Sequence, residues 1–92
     1  MKVILGFGGP LRDVAGGADE VLCELGSGTK DAILNAMNEI SPALIDIVFA
    51  PSGDTRRYVS IYHNGVGLQP GDFPAIVEEG DTLRMTLLVS GG

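Results

Sequence analysis

One histidine and one cysteine are the only residues of this chain on which histidine-assisted or thiolate chemistry could be built. His63 stands immediately before Asn64-Gly65, a strong signal for a hairpin turn, and no partner residue is suggested by a motif around it. We therefore interpret His63 as a surface residue at the end of a hairpin. Cys23 alternates in phase with Val21 and Leu25, so we expect its thiol to be buried and protonated. A single cysteine supports neither an intrachain disulfide nor a cysteine-ligated metal site.

Two other groups of residues resemble functional sites, one a phosphate-binding loop and one a metal or acid–base site, but neither has the pattern that such a site requires. Gly26-Ser27-Gly28-Thr29-Lys30 precedes a helical pattern but lacks the spacing of a phosphate-binding loop, so we interpret it as a loop followed by a helix N-cap. Glu78, Glu79 and Asp81 flank Gly80, which is typical of a solvated turn rather than a metal or acid–base site. We predict no catalytic residue, no metal ligand and no bound cofactor.

The remaining candidate for chemistry is the last segment, Ser90-Gly91-Gly92. Glycine has no Cβ, so such a flexible tail can enter a channel too narrow for side chains, and three residues reach about 10 Å beyond a sheet. The carboxylate of Gly92 is ionised at neutral pH and is a poor electrophile, so it must first be activated, for example by joining to AMP. Attack by a sulfur nucleophile would then leave a thiocarboxylate at Gly92, which can carry one sulfur atom.

The elements that would position this tail follow from the periodicity of the apolar residues. Period-two alternation predicts strands at 3–7, 21–25, 57–63 and 83–89, the third of which turns back at Asn64-Gly65. Thr29 as N-cap with apolar residues at helical spacing predicts a main helix at 29–40. Ser41-Pro42, a capping hydroxyl followed by proline, predicts a second short helical piece at 43–49. A single helical turn is predicted at 74–77.

Two strands, a helix and then further strands predict an α+β fold in which a mixed sheet of four to five strands packs on one main helix. This order is that of a β-grasp, or ubiquitin-like, roll, with the first and last strands side by side in parallel at the centre of the sheet. A chain of 92 residues suffices for one domain, so we predict a single domain over 1–92 whose tail is 90–92.

Composition narrows the partners that can be expected. Six basic against twelve acidic residues give a net charge of −6, which disfavours nucleic acid and favours a basic patch on another protein. No run of about 20 apolar residues is present, so we predict no membrane partner. The lone cysteine and the absence of a secretory signal pattern after Met1 favour the cytoplasm.

Four stretches of the sequence resemble the ThiS/MoaD-type ubiquitin-like sulfur carriers, a family that includes the small subunit of molybdopterin synthase. The stretches are Gly9-Pro10-Leu11-Arg12 with Gly16-Gly17, Ser41-Pro42-Ala43-Leu44, the segment 57–65, and Gly80-Asp81-Thr82-Leu83 leading to Val89-Ser90-Gly91-Gly92. The resemblance implies that a ubiquitin-activating-type adenylyltransferase uses ATP to adenylylate Gly92. The resulting thiocarboxylate would pass its sulfur to a biosynthetic enzyme, which makes this chain a carrier and not an enzyme. His63, Val66 and Leu87-Leu88 depart from the patterns of relatives and leave the pathway open.

Strand phase also predicts a docking surface on the side of the sheet that faces away from the helix. Leu88, Tyr58 and Tyr62 share that side, and we expect them, with Arg84, to meet both the activating enzyme and the sulfur acceptor. The alternative is that these residues merely cover the open side of the sheet.

Three other functions stay open from the sequence. The chain could be an obligatory small subunit of molybdopterin synthase, or a ubiquitin-like protein modifier that is joined through Gly92 to a lysine. It could also be a plain β-grasp binding module whose terminal glycines are idle.

Overall fold

The computed structural model describes residues 1–87, which form one sheet with helices packed on one of its faces. The strands are β1 (Lys2–Gly8), β2 (Glu20–Glu24), β3 (Val59–His63), β4 (Val66–Gly67) and β5 (Thr82–Leu87). The helices are α1 (Pro10–Val14), α2 (Lys30–Ile40) and α3 (Pro42–Val48). The longest of these, α2, has 11 residues, and no helix within 1–87 has the length and apolarity to cross a bilayer.

The sheet has the strand order β2-β1-β5-β3-β4. β1 and β5 run parallel in a register that pairs Ile4 with Thr82 and Gly8 with Thr86, whereas the other neighbouring strands are antiparallel. The prediction that the first and last strands lie side by side in parallel is confirmed, as is the α+β, β-grasp architecture. β5 is flanked by β1 and β3, so it is the central strand of the sheet, and its described part ends at Leu87.

α2 forms where the sequence predicts it because its start signal and its apolar face agree. The Thr29 hydroxyl accepts a hydrogen bond from the Ala32 N–H at 3.4 Å, which satisfies one of the free donors at the start of the helix. Ile33 and Met37, four residues apart, are both completely buried. The helix ends before Pro42, which cannot donate a helical hydrogen bond.

The core lies between the sheet and the helices, and the two parallel strands supply its centre. Leu5, Phe7 and Met85 are completely inaccessible to solvent, and Val3 and Leu83 nearly so. The residues between them in β1 and β5 face the opposite side of the sheet. The high apolar content of these two strands therefore reflects the face of each that is fully buried against the helices.

Three expectations from the sequence are wrong in detail. The turn at 74–77 is not helical, because Val77 donates its N–H to the Gly28 carbonyl and Ile76 forms an antiparallel bridge with Thr29. This tertiary pairing extends the backbone. The third strand begins at Val59 rather than at 57, and α3 begins without a hydrogen bond from the Ser41 side chain.

α1 was not predicted. It begins with a proline at its first position and buries Leu11, but five residues are too few for a helical period to emerge from the sequence.

Candidate functional site

β5 is the strand that leads to the predicted tail. The described part of this strand ends at Leu87. The predicted attachment residue Gly92, the tail residues Ser90 and Gly91, and the predicted docking residue Leu88 lie outside the described residues. The structure therefore describes the sheet surface next to the tail, and the tail chemistry stays a prediction.

Arg84 and Tyr62 lie next to each other on the side of the sheet that faces away from the helices. They are Cα partners across β5 and β3, and both alternate with buried residues such as Met85 and Ile61. The structure therefore brings together two of the four predicted docking residues. Arginine and tyrosine are both enriched at protein interfaces.

The Arg84 side chain lies across two glycines of β1. A Cβ at Gly6 would stand 3.2 Å from one guanidinium nitrogen, and a Cβ at Gly8 would stand 3.2 Å from the other. A larger residue at Gly6 would displace the arginine side chain, whereas one at Gly8 would first meet the methyl carbon of Thr86, 2.7 Å from its Cβ. Within residues 1–87 this guanidinium takes part in no ion pair, so it can receive a carboxylate from a partner.

The two tyrosines provide exposed aromatic surface near β5. The ring of Tyr62 lies over Gly67 of β4, where a Cβ would stand 3.4 Å from the ring, and the side chain is 39% exposed. Tyr58 is 46% exposed and stands immediately before Val59, whose Cα partner is Leu87. Tyr58 thus lies beside the end of β5 from which the tail continues.

The opposite end of β5 is fixed by a hydrogen-bonded carboxylate. Oδ1 of Asp81 accepts a hydrogen bond from the Asn64 side chain at 3.0 Å. Oδ2 accepts one from the Glu78 N–H at 2.9 Å and lies 2.8 Å from Nε2 of His63. Asn64 also accepts from the N–H of Thr82 at 2.8 Å. The start of β5 is therefore tied to the turn that follows β3.

These bonds correct two interpretations made from the sequence. His63 does lie at the end of the β3–β4 hairpin, but it has a partner in Asp81. Asp81 is not part of a merely solvated turn, since only 16% of its side chain is exposed. The hydrogen bond from Asn64, then the one from Glu78 and then the contact with His63 lower the pKa of Asp81 to about 2. The cluster has a structural role at the strand start and lies at the other end of β5 from the tail.

Cys23 is buried in β2, as predicted. Its exposed fraction is 8%, and burial, followed by the nearby Glu39 carboxylate, raises the pKa of the thiol above its ordinary value of 9.0. A thiol in this state is a weak nucleophile at neutral pH. Among residues 1–87 no group of three histidine, cysteine or acidic side chains stands close enough to hold a metal ion.

Comparison with known proteins gives matches among solved structures only. No family model matches the chain, and no curated protein matches it significantly. The crystal structure of small archaeal modifier protein 1 from Haloferax volcanii matches with a TM-score of 0.77 and 27% identity, covering 100% of both chains. A chain in the crystal structure of the BexX/CysO complex from Amycolatopsis orientalis matches with a TM-score of 0.74 and 26% identity, covering 98% of this chain and 99% of that one.

A third neighbour extends the same likeness at the level of the fold. The putative molybdopterin converting factor subunit 1 from Pyrococcus furiosus matches with a TM-score of 0.67 and 22% identity, over 97% of this chain and 99% of that one. Together these neighbours confirm the resemblance to the ThiS/MoaD-type ubiquitin-like sulfur carriers. They are small proteins of the carrier or modifier type, and one of them was crystallised in complex with another protein.

Proposed function

We propose that this protein carries sulfur as a thiocarboxylate at Gly92 and delivers it to a biosynthetic enzyme in the cytoplasm. The observation that carries the proposal is the full-length likeness to a chain of the BexX/CysO complex, at 26% identity and a TM-score of 0.74. It is joined by the sequence Ser90-Gly91-Gly92 beyond the central strand, a segment without large side chains.

The proposed loading reaction has two steps. In the first, an activating enzyme joins a carboxylate oxygen of Gly92 to the α-phosphorus of ATP, and pyrophosphate leaves. In the second, a hydrosulfide equivalent attacks the carbonyl carbon, so that the bond from this carbon to the AMP oxygen breaks and AMP leaves with the electron pair. The product is a thiocarboxylate, and no oxidation or reduction takes place when sulfide itself is the donor.

The protein's own contribution is recognition rather than catalysis. Arg84 lies on β5, the strand that leads to Gly92, its Cα partner Tyr62 lies on the neighbouring strand β3, and Tyr58 lies beside the described end of β5. We propose that these residues, with Leu88, dock on the activating enzyme and on the sulfur acceptor. In this arrangement the tail would enter the partner's active site while the sheet rests on the partner's surface.

The experiment is to incubate the protein with ATP, sulfide and an activating enzyme of the ubiquitin-activating type, and then to measure its intact mass. We expect an increase equal to the exchange of one oxygen for one sulfur, dependent on ATP. A matched variant with one alanine added after Gly92 should fold equally well and gain nothing. An unchanged mass of the natural protein with several such enzymes would refute the proposal.

A second candidate function is protein modification. It is favoured by the likeness to small archaeal modifier protein 1, at 27% identity over 100% of both chains. In that case the same adenylate would be attacked by a lysine amine, and an isopeptide bond would form at Gly92. Higher-mass conjugates that contain this protein in extracts of its cells, and that disappear when Gly92 is deleted, would favour the modifier over the carrier.

A further inference from the structure

β2 forms one edge of the sheet. Its only neighbour among the described residues is β1, because the strand order places β2 at the end. Edge strands present unpaired backbone groups and are ready to accept a further strand.

The register of β1 and β2 shows which backbone groups of β2 point outward, away from β1. The N–H of Phe7 donates to the Asp19 carbonyl at 2.7 Å, and the N–H of Leu25 donates to the Met1 carbonyl at 2.6 Å. These two bonds mark the hydrogen-bonded pairs at either end of the register. In an antiparallel ladder such pairs alternate with pairs that are not hydrogen-bonded.

The outward groups therefore belong to Glu20, Leu22 and Glu24, whose partners in β1 form the pairs without hydrogen bonds. Within residues 1–87 no turn or loop contact uses their N–H and C=O groups. All three side chains are exposed, and Leu22 is 65% exposed, a high fraction for an apolar side chain on an edge. This edge of β2 is free to accept a strand along its length.

A groove runs along the same edge, between β2 and α2. It consists of two adjoining depressions of about 300 Å³ each, which share Glu24, Ala36 and Glu39 as lining residues. Ala32 also lines the first depression, and because it lies one helical turn from Ala36 the helix presents small side chains there. Val21, Cys23 and Ile40 also line the second depression.

A strand added to β2 would meet two different surfaces with its alternating side chains. Residues that point towards α2 would enter the groove over Ala36, and residues that point the other way would lie beside Glu20 and Glu24. Within the described part of the chain Glu20 and Glu39 form no ion pair, and Glu24 has only a 3.7 Å approach to the amino group of Met1. The acidic edge would therefore favour an added strand with basic side chains at alternate positions.

We infer that the groove between β2 and α2 binds an extended segment of a partner protein, which adds to β2 as a strand and alternates small apolar with basic residues. Backbone hydrogen bonds to Glu20, Leu22 and Glu24 hold the segment, and charge pairs along the edge select it. This site lies at the β2 edge of the sheet, separated by β1 from the strand that carries Arg84, and it does not depend on any chemistry at Gly92.

The test uses a synthetic peptide of about eight residues that alternates valine and lysine, long enough to span the β2 edge. Amide hydrogen exchange and chemical shifts are followed by NMR as the peptide is added. We expect exchange to slow at Glu20, Leu22 and Glu24, whose N–H groups have no partner within residues 1–87. Exchange at Val21 and Cys23 should change little, because these amides are already bonded to β1.

Two control peptides separate the contribution of the charge pairs from that of the backbone hydrogen bonds. A peptide with glutamate in place of lysine should not bind, and one that is N-methylated on the side facing β2 should lose the backbone bonds and bind much more weakly. On the protein, Glu20→Lys or Glu24→Lys should each weaken binding roughly two- to thirtyfold. The matched reversal Asp46→Lys, on α3 and outside the groove, should leave binding unchanged.

Leu22→Pro removes the central outward N–H without breaking a bond to β1, a position at which edge strands accept proline. It should weaken peptide binding, whereas Leu22→Ala, which keeps the N–H, should bind. Thermal melts verify that each variant is folded. The inference is refuted by equal binding of the glutamate peptide, by protection at the β4 edge instead, or by no protection at millimolar peptide. It is also refuted if protection of β2 rises with protein concentration alone, because a second copy is then the occupant.

Discussion

The loop between β2 and α2 contains two glycines with opposite surroundings, and they make a matched pair for mutation. A Cβ at Gly28 would overlap the carbonyl oxygen of Val77, a backbone atom, whereas a Cβ at Gly26 would have nothing within 4 Å. Val77 cannot simply withdraw, because its N–H donates to the Gly28 carbonyl at 2.8 Å. Gly28→Ala must therefore separate two segments that Gly26→Ala leaves alone.

The expected cost follows from the two contacts that change. Overpacking costs about 1–3 kcal/mol, and weakening the bond from Val77 adds about 1 kcal/mol, while replacing a glycine returns about 0.4–1 kcal/mol through the unfolded chain. The net destabilisation by Gly28→Ala is about 2 kcal/mol. Gly26→Ala should be neutral or stabilising by about 0.4–1 kcal/mol.

The assay is urea unfolding followed by far-ultraviolet circular dichroism, with thermal melts in parallel. A loss of about 2 kcal/mol corresponds to a melting temperature lower by about 8–16 °C in a domain of this size. A total stability of about 5–14 kcal/mol means that the variant still folds. If Gly28→Ala proved as stable as Gly26→Ala, the close approach of residues 28 and 77 would be wrong.

The other predictions concern single side chains. Asp81 has a pKa of about 2 against an ordinary 3.8, so the stability it contributes above pH 3.8 is lost as the pH falls towards 2. Denaturation at several pH values should therefore show that the free energy of unfolding depends less on pH in Asp81→Asn than in the natural protein. The control Asp46→Asn should not change this dependence, because the carboxylate of Asp46 on α3 makes no hydrogen bond within 1–87. Arg84→Ala should weaken binding to the activating enzyme at least about fivefold in a titration, with the domain still folded, whereas the control Arg12→Ala should not; equal affinities would remove Arg84 from the docking surface. Because the pKa of Cys23 is raised, its reaction with a disulfide reagent at neutral pH should be slow until denaturant is added, and rapid reaction in the folded protein would contradict its burial.

The elements that the sequence predicts correctly are those whose signals are local and agree with each other. In α2 the N-cap at Thr29, the apolar spacing of Ile33 and Met37 and the stop at Pro42 all indicate the same helix. Asn64 and Gly65 both have positive φ angles, of 52° and 84°, as the turn predicted from this dipeptide requires. Local propensity and tertiary structure are consistent at these positions.

The features that sequence reasoning missed depend on contacts between distant residues. His63 and Asp81 are 18 positions apart, and neither spacing nor residue type indicates that a strand end and a turn will bring them within 2.8 Å. The surroundings of Arg84 also depend on distant residues. In the sequence Gly6 and Gly8 look like ordinary strand and turn residues, and only the parallel register of β1 and β5 places them under the Arg84 side chain. The groove beside β2 is likewise a product of packing.

The central claim is that sulfur is held at Gly92, and locating the sulfur within the loaded protein tests it most directly. Trypsin cleaves after Arg84, so the fragment 85–92 contains the whole predicted tail, and Cys23 falls in a different fragment. Tandem mass spectrometry of the digested, ATP-dependent product should place the exchange of oxygen for sulfur on Gly92 in fragment 85–92. A sulfur atom found instead on the fragment that contains Cys23, or an unmodified fragment 85–92, would contradict the account.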